Sequence, residues 1–184
     1  LLTPKVDEAE GIVPTASTTT QLALGDSLAI ASMKYKKFGK MDFKKLHPSG
    51  SLGAQLKTVE EVMITGNKIP FITEKLKMKK ALNILSEKRL GILIIRNKQK
   101  KTVGIITDGQ IRRFNEKNLN FQSLPVKKIM TKKPIFIDKN ELAVTALNVM
   151  NGKKITSLLV KNKKKPTTTI GVIHVHTILQ SNIS

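Results

Sequence analysis

The sequence predicts an α/β (α+β) fold built around two copies of one β-α-β-β-α unit. An internal repeat supports this prediction, because Val59–Met63 reappears as Val126–Met130, 67 positions later. Two amphipathic stripes and the short apolar runs behind them support it as well. A single unit of this size would expose one face of its small sheet, so we expect the two copies to pack face to face.

Each copy contains an amphipathic helix followed by two strands. The helical stripes are offset by 65 residues, and their apolar positions are Met78, Ala81, Leu82 and Leu85 in the first copy and Ala143, Ala146, Leu147 and Met150 in the second. The strands are Ile92–Ile95 and Val103–Ile106, matched by Ser157–Val160 and Ile170–Ile173. The offset returns to 67 at the last strand, so the differences in length fall in loops.

A different pattern occupies residues 1–56. A helix is predicted there from four residues that share one face: Leu24, Leu28, Ala31 and Tyr35. We expect Ser17 or Thr18 to cap its start and Gly39 to end it. A turn-rich loop, Leu46–Gly53, follows.

A formal net charge of +20 is typical of proteins that bind nucleic acid. The rest of the composition argues against that class. Arginine, the side chain best suited to phosphate and base contacts, is far rarer than lysine, and aromatic residues make up only 4% of the chain. We therefore expect solvated lysine-rich surfaces and no nucleic-acid partner.

Cysteine is absent from the chain, which agrees with a reducing, cytoplasmic compartment. No apolar run approaches the roughly 18 residues that span a bilayer, so we expect no membrane association. The first residue is leucine rather than methionine, and we expect the sequence to be part of a longer protein.

The second strand of the first copy ends in Gly104-Ile105-Ile106-Thr107-Asp108. Together with the period and the order of elements, this ending resembles a pair of cystathionine-β-synthase (CBS) domains over about residues 57–184. The resemblance implies that Asp108 binds ribose hydroxyls and that Thr107 contacts phosphate of a regulatory nucleotide or nucleotide sugar. The structural alternative is that Thr107 or Asp108 only caps a helix at Gly109–Phe114.

The second copy departs from this pattern, since His174 and Val175 stand where the first copy has Thr107 and Asp108. Valine cannot accept a hydrogen bond from ribose, so we do not expect a second site of the same kind. His174 and His176 are predicted to alternate along a strand. Two histidines alone are a weak metal signal, and we predict no metal site.

Three motifs in the first 56 residues resemble the end of the sugar isomerase (SIS) domain of the arabinose-5-phosphate isomerase family: Pro14–Thr19, Gly25-Asp26 and His47–Gly53. Members of that family carry a CBS pair directly after the SIS domain. The resemblance implies interconversion of D-arabinose 5-phosphate and D-ribulose 5-phosphate, a step toward the lipopolysaccharide sugar 3-deoxy-D-manno-octulosonate. It further implies a cytoplasmic homo-oligomer, a dimer or tetramer, that needs no cofactor.

The candidate catalytic residues come from the same resemblance. The family's histidine falls on His47, and histidine suits the shuttling of protons between sugar oxygens. The family's glutamate falls on Glu8, or on Glu10 because the spacing to Pro14 is about two residues shorter than in the family; a solvated acidic loop is the alternative. The family's phosphate cradle and catalytic lysine are not in this sequence, so we expect these residues alone to be inactive.

These resemblances divide the chain into a SIS tail at 1–56, a first CBS domain at 57–120 and a second at 121–184. Two other functions stay open, a stand-alone nucleotide-sensing module without catalysis and a basic nucleic-acid-binding protein. Residues 1–56 favour the isomerase, because a bare sensor has no use for a Ser/Thr-rich loop followed by His-Pro-Ser-Gly.

Overall fold

A computed structural model of the chain describes residues 8–46, 51–116 and 120–183. The chain divides into two compact units, Leu1–Pro48 and Ser49–Ser184, which are described separately below. The helices are α1 Ala16–Tyr35, α2 Lys40–Leu46, α3 Ser51–Gln55, α4 Val59–Val62, α5 Met78–Lys88, α6 Asp108–Asn115, α7 Ala143–Lys153 and α8 Val175–Leu179. The strands are β1 Phe71–Thr73, β2 Ile92–Arg96, β3 Thr102–Thr107, β4 Phe136–Asp138, β5 Ser157–Lys161 and β6 Gly171–His174.

The second unit contains the predicted β-α-β-β-α order twice, from β1 to α6 and from β4 to α8. Each copy forms a three-stranded sheet in which the middle strand pairs parallel with the first and antiparallel with the third. The two predicted stripes lie inward: Met78, Ala81, Ala143 and Ala146 are fully buried. The sequence prediction of the repeat and its secondary structure is therefore confirmed.

The two sheets pack face to face, as expected. Their interface is an apolar cluster contributed by both copies: Ile69, Ile92, Ile94, Leu159 and Val172. Burying one face of each sheet removes the apolar surface that a single copy would leave in water.

Each copy is completed by a segment that comes from the chain before the other copy. Ile64, after α4, forms a two-hydrogen-bond bridge with Val172 of β6, with N···O distances of 2.8 and 3.0 Å. The equivalent Thr131 forms the same bridge with Ile105 of β3, again at 2.8 and 3.0 Å. Val59 accordingly lies in the core of the second copy and Val126 in the core of the first.

Glycine at the repeat-related positions 104 and 171 allows these bridges. A Cβ on Gly104 would lie 2.8 Å from both the Thr131 carbonyl oxygen and the Met130 Sδ, closer than van der Waals contact allows. A Cβ on Gly171 would collide with the Met63 Sδ and lie 3.2 Å from the Ile64 carbonyl oxygen. The segments around Ile64 and Thr131, called the crossing segments below, therefore reach the sheets only where a strand residue has no side chain.

A polar contact joins the two copies between their hairpins. Thr102 and Thr169 stand 67 residues apart, and their hydroxyl oxygens lie 2.7 Å from one another. Thr169 is buried, and its N–H also donates to the Thr102 hydroxyl at 3.2 Å. Arg96 donates to the Thr169 carbonyl at 2.5 Å while its guanidinium lies 3.0 Å above the centre of the Phe71 ring.

The first unit differs from two sequence predictions. Thr15, rather than Ser17 or Thr18, is the N-cap residue of α1, because the Glu8 carboxylate already accepts from the Ser17 N–H at 3.0 Å. Gly39 does not end α1; Lys37 adopts the left-handed backbone after it, and the Gly39 N–H donates to Asp42 at the start of α2.

The glycine positions give a direct test of the crossing segments. We expect Gly104→Ala to lower the free energy of unfolding by about 1–3 kcal/mol, because the added methyl group must displace backbone as well as Met130. The measurement is the midpoint and slope of urea unfolding.

The matched control is Gly152→Ala in α7, where an added Cβ meets nothing within 4 Å. Alanine in a helix loses less conformational entropy, so this variant should be as stable as the parent or more stable, by up to about 1 kcal/mol. Equal losses in both variants would contradict the close approach at Gly104.

Candidate functional site

A cleft of about 840 Å³ lies between the two copies of the second unit, at the ends of β3 and β6. The starts of α6 and α8, the residues after α5 and α7, and the crossing segment at 131–135 all contribute to its lining. It therefore collects side chains from repeat-related positions of both copies. Its polar lining residues include Arg89, Thr107, Asp108, Gln110, Arg113, Thr131, Lys133, Lys154, His174 and His176.

Thr107 ends β3 and is the N-cap residue of α6, in a capping box with Gln110. The Thr107 N–H donates to the Gln110 side-chain oxygen at 3.1 Å. The other end of the same amide donates to the Thr131 hydroxyl at 2.7 Å, so Gln110 ties the helix start to the crossing segment. Thr107 therefore caps the helix, as the structural alternative predicted, and it also lines the cleft.

Asp108 is the first residue of α6 and is exposed in the cleft. Its N–H donates to the Gly91 carbonyl at 3.1 Å, and a Cβ on Gly91 would lie 3.0 Å from one carboxylate oxygen. Gly91 has a φ of +62°, so glycine suits both its backbone and the carboxylate above it. Within the described ranges no group donates to the Asp108 carboxylate, which leaves it open as an acceptor.

The second copy places two imidazoles in the same cleft. The prediction that His174 and His176 alternate along a strand is wrong, because β6 ends at His174 and His176 lies in α8. His174 takes the N-cap position of α8, and its Nδ1 accepts from the His176 N–H at 3.2 Å. The two rings nevertheless lie together, stacked with centroids 5.1 Å apart.

Burial lowers the pKa of His174, and the neighbouring His176 lowers it further. Both effects disfavour the imidazolium form. Among the residues that the structure describes, no group of three metal-ligating side chains occurs at this pair or elsewhere.

Four basic side chains line the cleft: Arg89, Arg113, Lys133 and Lys154. None of them forms an ion pair with a carboxylate in the described part of the chain. Arg89 and Lys154 are repeat-related, and each adopts the left-handed backbone directly after its helix, with φ of 53° and 52°. This pair was not identified from the sequence. The two basic residues are 65 positions apart, the same offset as the two helical stripes, and this match could have revealed them.

A smaller cavity of about 410 Å³ near Ile64 and Leu90 is a weaker candidate. Its carboxylate, Glu87, already pairs with Lys88 at 3.2 Å, and it contains no equivalent of the Thr107-Asp108 pair. The side chains best placed to bind a polar ligand therefore line the 840 Å³ cleft rather than this smaller cavity.

The two candidate catalytic positions belong to the other unit. His47 lies outside the described residues. The Glu8 carboxylate accepts from the Thr15 N–H at 2.5 Å and the Ser17 N–H at 3.0 Å, at the start of α1. Hydrogen bonds from the Ser17 side chain and the Thr15 backbone lower the pKa of Glu8. Its rival Glu10 is exposed, with a left-handed φ of 54°.

Comparison with known protein families shows which family the second unit resembles. The CBS domain model matches residues 59–117 and 126–183. The chain therefore belongs to the CBS domain family and contains two copies of the domain, as the sequence predicts.

Two curated relatives extend the similarity beyond the CBS pair. Arabinose 5-phosphate isomerase KdsD of Yersinia pestis is 35% identical over 174 residues, which cover 94% of this chain and 52% of that protein. KdsD of Escherichia coli is also 35% identical over 174 residues, with the same coverage. The predicted resemblance to this isomerase family is confirmed, and the chain spans about half the length of these relatives.

Two solved structures confirm the fold. The CBS domain pair of protein MJ0100, in complex with 5′-methylthioadenosine and S-adenosyl-L-methionine, superposes with a TM-score of 0.59 and 19% identity, covering 68% of this chain and 94% of that one. The CBS domain protein PAE2072 of Pyrobaculum aerophilum, complexed with AMP, gives 0.57 and 18%, covering 66% and 89%. None of the helices in the described ranges is long and apolar enough to cross a bilayer.

The Glu8 hydrogen bonds predict a titration that distinguishes it from Glu10. A lowered pKa means that Glu8 stabilises the start of α1 fully above pH 4.5, and that this stabilisation is lost as the pH falls through the lower folded-state pKa. In NMR spectra the Thr15 and Ser17 amide signals should shift together with a midpoint below 4.5.

Glu8→Gln should abolish that shared titration, and the control Glu10→Gln should leave it unchanged. The Glu8 contacts are contradicted if the two amides follow Glu10, or if they do not titrate.

Proposed function

We propose that this chain is the C-terminal part of a cytoplasmic, homo-oligomeric arabinose 5-phosphate isomerase whose CBS pair regulates the enzyme by binding a nucleotide or nucleotide sugar. The domains in this proposal are a SIS tail at 1–56 and CBS domains at 57–120 and 121–184. The observation that carries the regulatory part is the cleft, where the Asp108 carboxylate lies among four cationic side chains that form no ion pair within the described ranges. Similarity to the KdsD proteins over 94% of the chain supports the isomerase part.

A nucleotide contains the three kinds of group that this cleft can bind. The Asp108 carboxylate accepts hydrogen bonds from two ribose hydroxyls, while Thr107 and the cations bind phosphate. Apolar side chains in the lining that are partly exposed, among them Leu90, Pro134 and Ile135, supply a surface for the base. A sugar phosphate without a base would leave this apolar surface in water.

Isomerisation requires a base that moves a proton between adjacent carbons and an acid that serves the sugar oxygens. In the proposed whole enzyme His47 serves the oxygens. Glu8 has a lowered pKa, and both of its carboxylate oxygens accept hydrogen bonds. These contacts favour a role as a fixed anion that holds the Ser/Thr loop in place, rather than a role as a strong base. The remaining groups, including the phosphate cradle, come from residues outside this chain.

The regulatory proposal predicts a specific loss of binding. AMP at about 100 times its dissociation constant should stabilise the chain by about 2.7 kcal/mol. Asp108→Ala should weaken AMP binding by about tenfold or more, because two charge-assisted hydrogen bonds are lost. Isothermal calorimetry and thermal unfolding measure both effects.

The control for Asp108→Ala is Glu116→Gln, which removes a carboxylate from the end of the same helix but outside the cleft. Its AMP affinity should match the parent. Parental affinity in Asp108→Ala as well would exclude this carboxylate from ribose binding and overturn the proposed site.

The isomerase proposal predicts that the 184-residue chain shows no conversion of D-arabinose 5-phosphate in a coupled assay for D-ribulose 5-phosphate. A protein that joins this chain to the N-terminal half of a KdsD protein should restore turnover, and His47→Ala in it should lower kcat by about 100-fold or more. Turnover by the chain alone would contradict the proposed division of the active site.

A further inference from the structure

The hairpin loops of the two copies lie at the end of the sheets opposite the cleft. The cleft is lined by the starts of β2 and β5, and the loops follow the ends of the same two strands. Six exposed lysines occupy these loops and are called the lysine surface below: Lys98, Lys100, Lys101, Lys163, Lys164 and Lys165.

Hydrogen bonds between the hairpins bring the two groups of lysines together. The Thr102 N–H, directly after Lys101, donates to the Thr167 carbonyl at 2.9 Å. The hydroxyl oxygens of Thr102 and Thr169 lie 2.7 Å apart, and Arg96 donates to the Thr169 carbonyl. The lysines of the first and second copies therefore belong to one continuous surface.

Each loop is ordered by an asparagine at its start. The Asn97 side-chain oxygen accepts from the Lys101 N–H at 2.9 Å, and the Asn162 side-chain oxygen accepts from the Lys164 N–H at 3.1 Å. The two asparagines are 65 positions apart, the offset of the helical stripes. The lysine side chains consequently extend from loops whose backbone is held by its own hydrogen bonds.

The positive charge of this surface is not neutralised by the chain. Neither loop contains a carboxylate, and none of the six lysines forms an ion pair within the described ranges. The carboxylates at the ends of the neighbouring strands β1 and β4 are Glu74, which is half-buried, and Asp138, which is buried. Glu60, beside β4, already pairs with Lys139 at 2.8 Å.

We propose that the lysine surface binds a bilayer surface of anionic lipid headgroups. Lysine is a hydrated point charge on a flexible stem, which suits a diffuse layer of negative charge, and each lysine near such a surface strengthens binding by about fivefold. The proposal goes beyond the regulated isomerase described above and does not depend on it.

The composition of the loops favours lipid over the other polyanions. Residues 97–101 and 162–169 contain no arginine and no aromatic side chain, so they lack the groups that bind phosphate in two places at once or stack on bases. Lysine is also depleted at the centres of protein–protein interfaces.

Peripheral binding of this kind needs no spanning segment. The expectation of no membrane association came from the lack of a long apolar run, and that argument concerns insertion alone. Contact through the lysine surface would leave the cleft, at the other end of the sheets, clear of the bilayer.

The test is cosedimentation of the 184-residue chain with vesicles of phosphatidylcholine alone and with vesicles of an equal mixture of phosphatidylcholine and phosphatidylglycerol. We expect the mixed vesicles to sediment the chain and the neutral vesicles to leave it in solution. Raising the salt from about 0.1 M to about 0.5 M should release it, because the Debye length shortens. Equal binding to both kinds of vesicle, or binding to neither, would overturn the proposal.

A charge-matched pair of variants tests the location. Changing Lys98, Lys100 and Lys101 together to Gln should weaken binding to the mixed vesicles by about 100-fold, at about fivefold for each lysine. The control changes three exposed lysines at the cleft end to Gln: Lys68, Lys132 and Lys153. It removes the same charge and should bind almost as tightly as the parent.

The alternatives give different results. Equal losses in the two triple variants would assign the binding to net charge and overturn the lysine surface as a site. All six changed side chains are exposed, so both variants should unfold at the temperature of the parent, and this measurement excludes misfolding as the cause of a loss. Tighter binding of a single-stranded oligonucleotide or of polyglutamate than of the mixed vesicles, at the same salt, would replace lipid with that partner.

Discussion

The second unit depends on a constraint at two glycines. Its crossing segments can hydrogen-bond to β3 and β6 only if the strand residue beneath each segment has no side chain, and positions 104 and 171 meet this requirement. The bridges place Val59 and Val126 in the cores of the opposite copies. Neither copy then has a complete core without the other, and the face-to-face sheets and the cleft between them follow from that exchange.

The two copies share the same strand-to-helix turn but carry different side chains at it. A capping box needs only an acceptor at the N-cap and a polar residue three positions later, and Thr107 with Gln110 or His174 with Thr177 satisfies it equally. The strand-to-helix turn is thus kept while its exposed side chains change. The cleft is consequently symmetric in its framework and asymmetric in its hydrogen-bonding groups.

Local patterns predicted the elements of the repeat because apolar periodicity reports directly on burial, as at Met78 and Ala81. The crossing of the segments could not be predicted in this way, since the partner of Ile64 is a strand more than 100 residues away. The cap of α1 was misplaced because Glu8, a residue before the helix, accepts from the N–H groups of Thr15 and Ser17, so the helix begins before Ser17. His176 was assigned to a strand because alternation over three residues does not distinguish a strand end from a helix start.

The same crossing offers a route from the cleft to the packing of the two copies. Gln110 accepts from the N–H of Thr107 with one end of its amide and donates to Thr131 with the other. Thr131 in turn bridges β3 through its backbone. In the proposed function, a ligand at Thr107 and Asp108 would contact the residues that hold the crossing segment in place, so any differential binding free energy would act directly on the contact between the copies. The proposed regulation would therefore act through one side chain, Gln110, and one backbone bridge, that of Thr131 with β3.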